Sequence, residues 1–329
     1  MKLAVIGAGA WGTCLANLAA RNGHQVRLWA RDPLLVQTLR RDRQNVRYLP
    51  GLALVSALEI ETDFEHACAG ADGVVVAAPS KAIREIGQRL ARLNQPQTAV
   101  VSATKGVEFE SGLTMCGVLQ SCGVPGSLSA LSGPTLAEEV SKGMPSAVVV
   151  ASELPAAAAF WQGVWHEPMF RVYTSIDRCG VELGGALKNV IAIAAGVCDG
   201  LGFGDNSKAA LVTRAIAEIR RLGVACGANA ETFSGLSGLG DLTVTCFSKL
   251  SRNRTFGERL GRGADPAQLL ASSSAAVEGY PTARAAWKLA QERAVVTPII
   301  EQVHAMLYER KDVRLALRDL VARESRAES

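Results

Sequence analysis

The chain has 329 residues, 48% of them hydrophobic and 20% charged, with 35 Lys+Arg against 31 Asp+Glu. That length accommodates two domains and a large core, and the composition is that of an ordinary globular protein. A net charge of +4 is too small to single out nucleic acid or a membrane surface as partner, although an anionic ligand could use positive charge gathered locally.

The eight cysteines are scattered, with no Cys-x-x-Cys and no His pair nearby. Neither a zinc site nor a disulfide framework is indicated, and buried reduced thiols in a cytoplasmic protein are expected. Met1-Lys2 runs directly into the first strand, which is expected to leave no room for a signal peptide. No apolar run is expected to reach the length of a membrane span.

Leu3-Ala4-Val5-Ile6 is a short apolar run ending in Gly7-Ala8-Gly9-Ala10-Trp11-Gly12, and a helix-forming stretch begins at once. A strand turning tightly into a helix aims backbone N–H groups and the positive end of the helix dipole at one point, which suits a pyrophosphate. Gly7 would permit the turn, Gly9 the approach of phosphate, and Gly12 close packing of helix on strand. The second strand, Gln25–Trp29, is followed by Ala30-Arg31-Asp32, where an NAD-specific site carries an acid for the ribose 2′-hydroxyl. Arg31 could meet a 2′-phosphate or stack on adenine, which leans towards NADP without excluding NAD, unless it is simply a solvated turn residue.

Continuously apolar runs at 72–78, 98–103 and 146–151 read as strands buried on both faces, and Ile83, Ile86, Leu90 and Leu93 keep helical spacing between the first two. This alternation predicts an α/β fold with a Rossmann-type, doubly wound, mainly parallel sheet. Loops after the strands carry Pro79-Ser80, Thr104-Lys105-Gly106 and Ser132-Gly133-Pro134-Thr135, at the carboxyl edge where such sheets bind ligands. Lys105 reads either as a phosphate or substrate contact or as a surface lysine. Gly133–Thr135 either offers helix amides to an anion or caps the helix that follows.

From about residue 176 Ala/Leu-rich runs replace β-branched ones, so an all-helical C-terminal domain (176–329) is expected after a dinucleotide-binding domain (1–175). Val181–Val197 reads as one helix with Gly184 and Gly185 on the face of Lys188, a weakening tolerated where a ligand or another backbone must come close. Asp199–Gly204 reads as a flexible loop, Asn206–Cys226 as a helix, and Gly235–Thr243 as a glycine-rich turn bearing the Asp241 carboxylate. Ser251-Arg252-Asn253-Arg254 either forms a phosphate site at a helix start or is an N-cap followed by solvated arginines.

Taken in order, Gly7–Gly12 with Trp11, Ala103–Gly106, Ser132–Thr135, Gly184–Val190, Gly238–Leu242 and Ser251–Arg254 resemble the bacterial NAD(P)-dependent sn-glycerol-3-phosphate dehydrogenases as far as about Tyr308. The resemblance implies reversible reduction of dihydroxyacetone phosphate to sn-glycerol 3-phosphate, serving phospholipid synthesis, with NADP or NAD as cofactor. It implies Lys188 as acid/base and Lys105, Gly133, Thr135, Lys188, Asp241, Ser251, Arg252 and Asn253 as substrate contacts. It further implies Gly7, Gly9, Ala10, Trp11, Gly12, Arg31, Lys105, Ala137, Arg252 and Glu278 as cofactor contacts. A small phosphate substrate, no nucleic acid, no membrane span and no metal are expected, and the sequence is compatible with a homodimer. Two rival readings are a two-domain 3-hydroxyacid dehydrogenase and a non-enzymatic dinucleotide sensor.

Overall fold

The computed structural model describes residues 1–273 and 276–322. The end of the expected second domain, 323–329, lies outside them. An eight-stranded sheet organises the first half. The chain enters it at β1 (Lys2–Ile6), continues through α1 (Ala10–Arg21), β2 (Gln25–Trp29) and α2 (Pro33–Asp42), and makes a hairpin of β3 (Gln44–Asn45) and β4 (Leu49–Ala53). It then adds β5 (Leu58–Glu61), α3 (Phe64–Cys68), β6 (Gly73–Val76), α4 (Ile83–Leu93), β7 (Ala99–Ser102), α5 (Met115–Ser121) and β8 (Leu128–Ser132). The half closes with α6 (Ala137–Ser141), β9 (Ser146–Ala151), α7 (Pro155–Trp165) and β10 (Phe170–Ser175).

The strand order is β10-β9-β8-β7-β6-β1-β2-β5, parallel throughout except where β8 meets β9. The chain runs outward from β1 to β2 and β5, then returns to the other side of β1 as β6, which creates a switch-point crevice between the loops after β1 and β6. The doubly wound, mainly parallel expectation is met. Ile83, Ile86 and Leu90 of α4 are buried against the sheet, as their spacing requires.

The second half is helical: α8 (Arg178–Gly200), α9 (Asp205–Ala225), α10 (Asp241–Phe247), α11 (Arg252–Gly261), α12 (Pro266–Ala271), α13 (Gly279–Glu292), α14 (Pro298–Tyr308) and α15 (Val313–Val321). Helix α8 is the axis of this half, buried from Gly180 to Val197. Its length and mean hydropathy of 1.5 are those of a membrane span, contrary to the expectation that no run reaches that length, but 94% of that window is buried inside the protein. It carries Glu182, Lys188 and Asn189, all buried, and its neighbours satisfy them.

Two loop readings need correction. Asp199 is inside α8 and not in a flexible loop, because its carboxylate is paired with Lys208 (2.5 Å) and Arg254 (2.6 Å). Gly235–Thr243 is not an open turn: Leu236–Gly240 forms one wide helical turn that leads into α10 at Asp241. A side chain at Gly238 would overlap the Phe233 backbone, so the glycines permit tight coiling here and not looseness. All eight cysteines are free, four of them buried and four partly buried.

The halves are tied by polar groups. Glu182 of α8 accepts from the Cys116 N–H (2.8 Å) and the Thr114 hydroxyl (2.9 Å) at the start of α5. Lys288 of α13 donates to the carbonyls of Phe109 and Glu110, each at 3.0 Å.

Candidate active site

At the glycine-rich loop each glycine has its own geometry. Gly7 has φ +116°, and a Cβ there would lie 2.6 Å from the Ala77 carbonyl of the β6 loop. A Cβ on Gly12 would overlap the Gly7 carbonyl, so α1 could not seat on the loop. Gly9, the N-cap of α1, has nothing within 4 Å of its Cβ position. No side chain caps this helix and no acid occupies its first turn. An uncapped helix start beside an open position at Gly9 suits a dinucleotide pyrophosphate. Trp11 is half-buried near Phe170 (ring centroids 6.4 Å apart), its indole N–H unpartnered among the described residues. Ala10 follows the N-cap, and Ala137 begins α6 against the core that α1 shares. Arg31 stands exposed beyond β2, far along the sheet edge from the lysines described next.

The chemical centre forms where the carboxyl edge of the sheet meets α8 and α10. Asp241, 1% exposed, lies between two ammonium groups. Lys188 Nζ is 2.6 Å from Oδ1, and Lys105 Nζ is 2.5 Å from Oδ2. Lys188 also donates to Thr245 Oγ1 (2.6 Å), which in turn donates to the Asp241 carbonyl one helical turn back (2.6 Å). Lys105 donates to the Gly133 carbonyl (3.3 Å), and the Ser132 hydroxyl reaches Oδ2 at 3.4 Å. An ammonium has three N–H bonds. With two engaged on each lysine, each keeps one for a ligand.

The electrostatics follow from burial and neighbours. Burial pushes the Lys188 pKa down, Asp241 pulls it back up and Lys105 lowers it further, leaving it at about 8 instead of 10.5. Burial raises the Asp241 pKa, but the ammoniums of Lys105 and Lys188 more than reverse this, holding the carboxyl below its usual range. Asp241 is thus ionised and saturated with donors, so it orients the lysines and does not act as a base. The group able to exchange a proton near neutral pH is Lys188.

The α8 glycines bring protein groups, not open space, to this face. A Cβ on Gly184 would lie 2.6 Å from the Ser237 carbonyl, and one on Gly185 would overlap the Ser132 hydroxyl beside Lys105. Further along, Gly196 meets the Arg254 carbonyl and Gly257 meets the Ile193 carbonyl, so α8 and α11 touch backbone to backbone. With the Asn253–Asn189 bond (2.9 Å), that contact sets the α11 start against the middle of α8, next to Lys188.

Of the alternatives at 251–254, the N-cap holds at Ser251, but the expectation of solvated arginines fails at Arg254. Ser251 is an N-cap, its hydroxyl accepting from the Arg254 N–H (3.2 Å), and Arg254 is buried in its pair with Asp199. Asn253 donates to Asn189 Oδ1 and accepts from the Gly279 N–H, both at 2.9 Å, so its amide joins three helices. Arg252 alone of the four is exposed with no hydrogen bond or ion pair among the described residues. Glu278 lies within electrostatic reach of it and accepts from the Ser80 N–H (3.1 Å) and hydroxyl (2.5 Å) of the β6 loop. Thr135 turns its hydroxyl back onto the Gly133 carbonyl (3.2 Å). Among the described residues no cluster of three or more His, Cys, Asp or Glu is arranged to hold a metal.

Thr245, Ser132, Asn189 and Ser80 are not among the site residues expected from the sequence, although Ser80 and Ser132 lie in loops at the expected ligand edge and Asn189 in the Lys188 block. Thr245 had a signal, since it lies four residues after Asp241 and so on the same helical face. Ser132 and Ser80 had none beyond following strands.

A dinucleotide-binding loop at a switch point, opposite a buried lysine able to deliver a proton, defines a two-domain nicotinamide-dependent dehydrogenase. Residues 2–158 match the N-terminal region and residues 177–318 the C-terminal region of NAD-dependent glycerol-3-phosphate dehydrogenase, and the chain belongs to that family. It is 48% identical over 330 residues to the glycerol-3-phosphate dehydrogenase [NAD(P)+] of Geobacter metallireducens, covering 99% of this chain and 98% of that one. The corresponding protein of Geobacter sulfurreducens is 47% identical over the same shares. The crystal structure of glycerol-3-phosphate dehydrogenase from Coxiella burnetii superposes with a TM-score of 0.94 at 36% identity, covering 98% of this chain and 99% of that one.

Proposed function

We propose that this chain reduces dihydroxyacetone phosphate to sn-glycerol 3-phosphate with NADPH or NADH, reversibly, and so feeds glycerophospholipid synthesis. The observation that carries the reading is the Lys188–Asp241–Lys105 cluster, a single carboxylate between two ammoniums with net charge +1 and two N–H bonds to spare.

When bound, a reduced nicotinamide supplies the hydride. The residues of the chain do the rest. The alkoxide that forms at the ketone oxygen is stabilised by the Lys188 ammonium and then protonated by it. Asp241 and Thr245 hold Nζ in one position, so little reorganisation is needed as charge develops. Lys105 adds positive charge on the other side of the carboxylate. Arg252, exposed at the start of α11, receives the substrate phosphate together with the leading amides of that helix. The Ser251 hydroxyl and the Asn253 amide serve this phosphate site by fixing the helix start and its distance from Asn189. Gly133 and Thr135 shape the wall beside Lys105. Gly7, Gly9, Ala10, Trp11 and Gly12 cradle the pyrophosphate, with Arg31 at the adenosine end, Ala137 beside α1 and Glu278 closing the β6 side. Residues 1–175 thus carry the dinucleotide and 176–329 the substrate, in a cytoplasmic enzyme for which a homodimer is the assembly we favour.

The assay is oxidation of NAD(P)H followed with dihydroxyacetone phosphate against unphosphorylated dihydroxyacetone. Turnover dependent on the phosphate supports the reading. Equal turnover of both, or preference for a 3-hydroxyacid, moves the chain to the rival dehydrogenase class, and dinucleotide binding without turnover leaves a sensor.

A further inference from the structure

The β3–β4 hairpin is small and polar, yet it is fastened to the dinucleotide loop by buried bonds. Asn45, 0% exposed, donates to the Ala8 carbonyl (2.9 Å) and to Thr13 Oγ1 (2.7 Å), and accepts from the Tyr48 N–H (3.2 Å). Asn17 of α1 accepts from the Val55 N–H (2.9 Å) at the far end of the hairpin. Buried polar side chains satisfied this way fix one geometry, because any shift would leave them unpaired. The tip of the hairpin, Val46-Arg47-Tyr48, is thereby held beside the loop that follows β2.

At that loop Arg31 is exposed and has no partner among the described residues. Arg47 Nη1 lies 3.4 Å from Asp32 Oδ2, and the Arg47 guanidinium is 5.0 Å from the Tyr48 ring. The other Asp32 oxygen accepts from the Leu34 N–H (3.0 Å) as the N-cap of α2. Glu61, at the end of the neighbouring β5, faces Arg40 (3.5 Å) and His66 (3.6 Å). Asp32 thus spends one oxygen on the α2 cap and Glu61 on β5 faces two basic side chains, so basic groups crowd the end of β2. The two guanidiniums remain, one unpartnered and one in a pair whose side chains are 58% and 45% exposed. An exposed pair of this kind is weak and exchanges readily for a phosphate, which guanidinium binds through two parallel hydrogen bonds.

We propose that Arg47, carried on the Asn45-anchored hairpin, joins Arg31 in a subsite for the adenosine 2′-phosphate of the dinucleotide. This rests on the reading of the glycine-rich loop as a dinucleotide site. The test is isothermal titration calorimetry of the full chain with NADP+, NAD+, 2′,5′-ADP and 5′-AMP. R47A is expected to raise the Kd for NADP+ and 2′,5′-ADP roughly tenfold, the scale of one lost charge-assisted contact, with NAD+ and 5′-AMP changed less than about twofold. R31A/R47A should lose more than either single variant, and R47K should recover part. Equal weakening of NAD+ and NADP+, or no change in either, overturns the Arg47 subsite while leaving the dinucleotide reading intact. A wild-type chain that binds neither dinucleotide overturns both. Because Arg47 is exposed, an unchanged melting temperature is expected and shows that the binding loss is local.

Discussion

Lys188 Nζ and Asp241 Oδ1 lie 2.6 Å apart, both buried, across the contact between α8 and α10. The residues are 53 positions apart in the chain. Burial drives the ammonium towards losing its proton, and the pairing with Asp241 offsets part of that, leaving a proton donor with a pKa of about 8.

The direction of catalysis should therefore depend on pH through Lys188. Ketone reduction needs the ammonium, so its kcat is expected to fall as pH rises through about 8, whereas alcohol oxidation needs the neutral amine and should rise through the same value. Lys188→Ala should lose roughly 10²-fold or more in kcat and both limbs, while dinucleotide still binds. A near-normal kcat, or an unchanged pH profile, would remove Lys188 from the proton transfer. In the same group the folded pKa lies below the unfolded one, so its contribution to stability is unfavourable below about pH 8 and improves as pH rises towards 10.5.

Asp241→Asn removes the charge that raises the Lys188 pKa. The alkaline limb of ketone reduction should shift to lower pH, and the neighbouring Lys105 and Lys188 ammoniums should repel one another. Removing one partner of a buried ion pair costs about 3 kcal/mol, so a lowered melting temperature is expected with it. The pH profile is the decisive readout, because a merely structural role for Asp241 would lower stability and leave the limb in place.

Arg252→Ala should lose about 2–4 kcal/mol in kcat/KM for dihydroxyacetone phosphate, the range for truncating one member of a charged hydrogen-bonded pair. Arg252→Lys should restore part of it, since lysine keeps the charge without the fork. With unphosphorylated dihydroxyacetone the wild type and both variants should be similarly poor. If Arg252→Ala is impaired equally on both substrates with the fold intact, the guanidinium serves the dinucleotide and not the phosphate.

Gly9→Ala and Gly12→Ala should separate binding from folding. The Cβ at Gly9 enters open space at φ −72°, so the variant should fold normally and bind dinucleotide much more weakly. At Gly12 the Cβ would overlap the Gly7 carbonyl, so thermal denaturation should show a loss of about 1–3 kcal/mol. Normal dinucleotide affinity in Gly9→Ala would place the pyrophosphate elsewhere.

Local chemistry made some features readable in advance. The glycine-rich loop was legible because it sits between strand and helix, and the sheet because β6, β7 and β9 are continuous apolar runs. The helix around Lys188 was legible from its Ala/Leu-rich run, and the glycines three and four residues before the lysine were legible as sharing its face. The β3–β4 hairpin, β5 and β10 were not read, although Leu58–Glu61 and Phe170–Ser175 alternate as half-buried strands do; runs this short are fixed as strands by pairing with β2 and β9.

By itself, then, the sequence determined which residues could do chemistry and the local backbone that carries each: the turn at Gly7, the helix bearing Lys188, the cap at Ser251. Those properties depend on neighbours within a few positions. Only the tertiary structure decided which of them meet. Asp241 lies between lysines from two distant segments, Asn253 is engaged by Asn189 and Gly279, Arg254 is neutralised by Asp199, and Arg252 is left with no hydrogen bond or ion pair among the described residues. The reason is physical. Charge pairing and burial shift a pKa or occupy a side chain only at contact distance, and contact between distant segments is set by how α8, α10 and α11 pack.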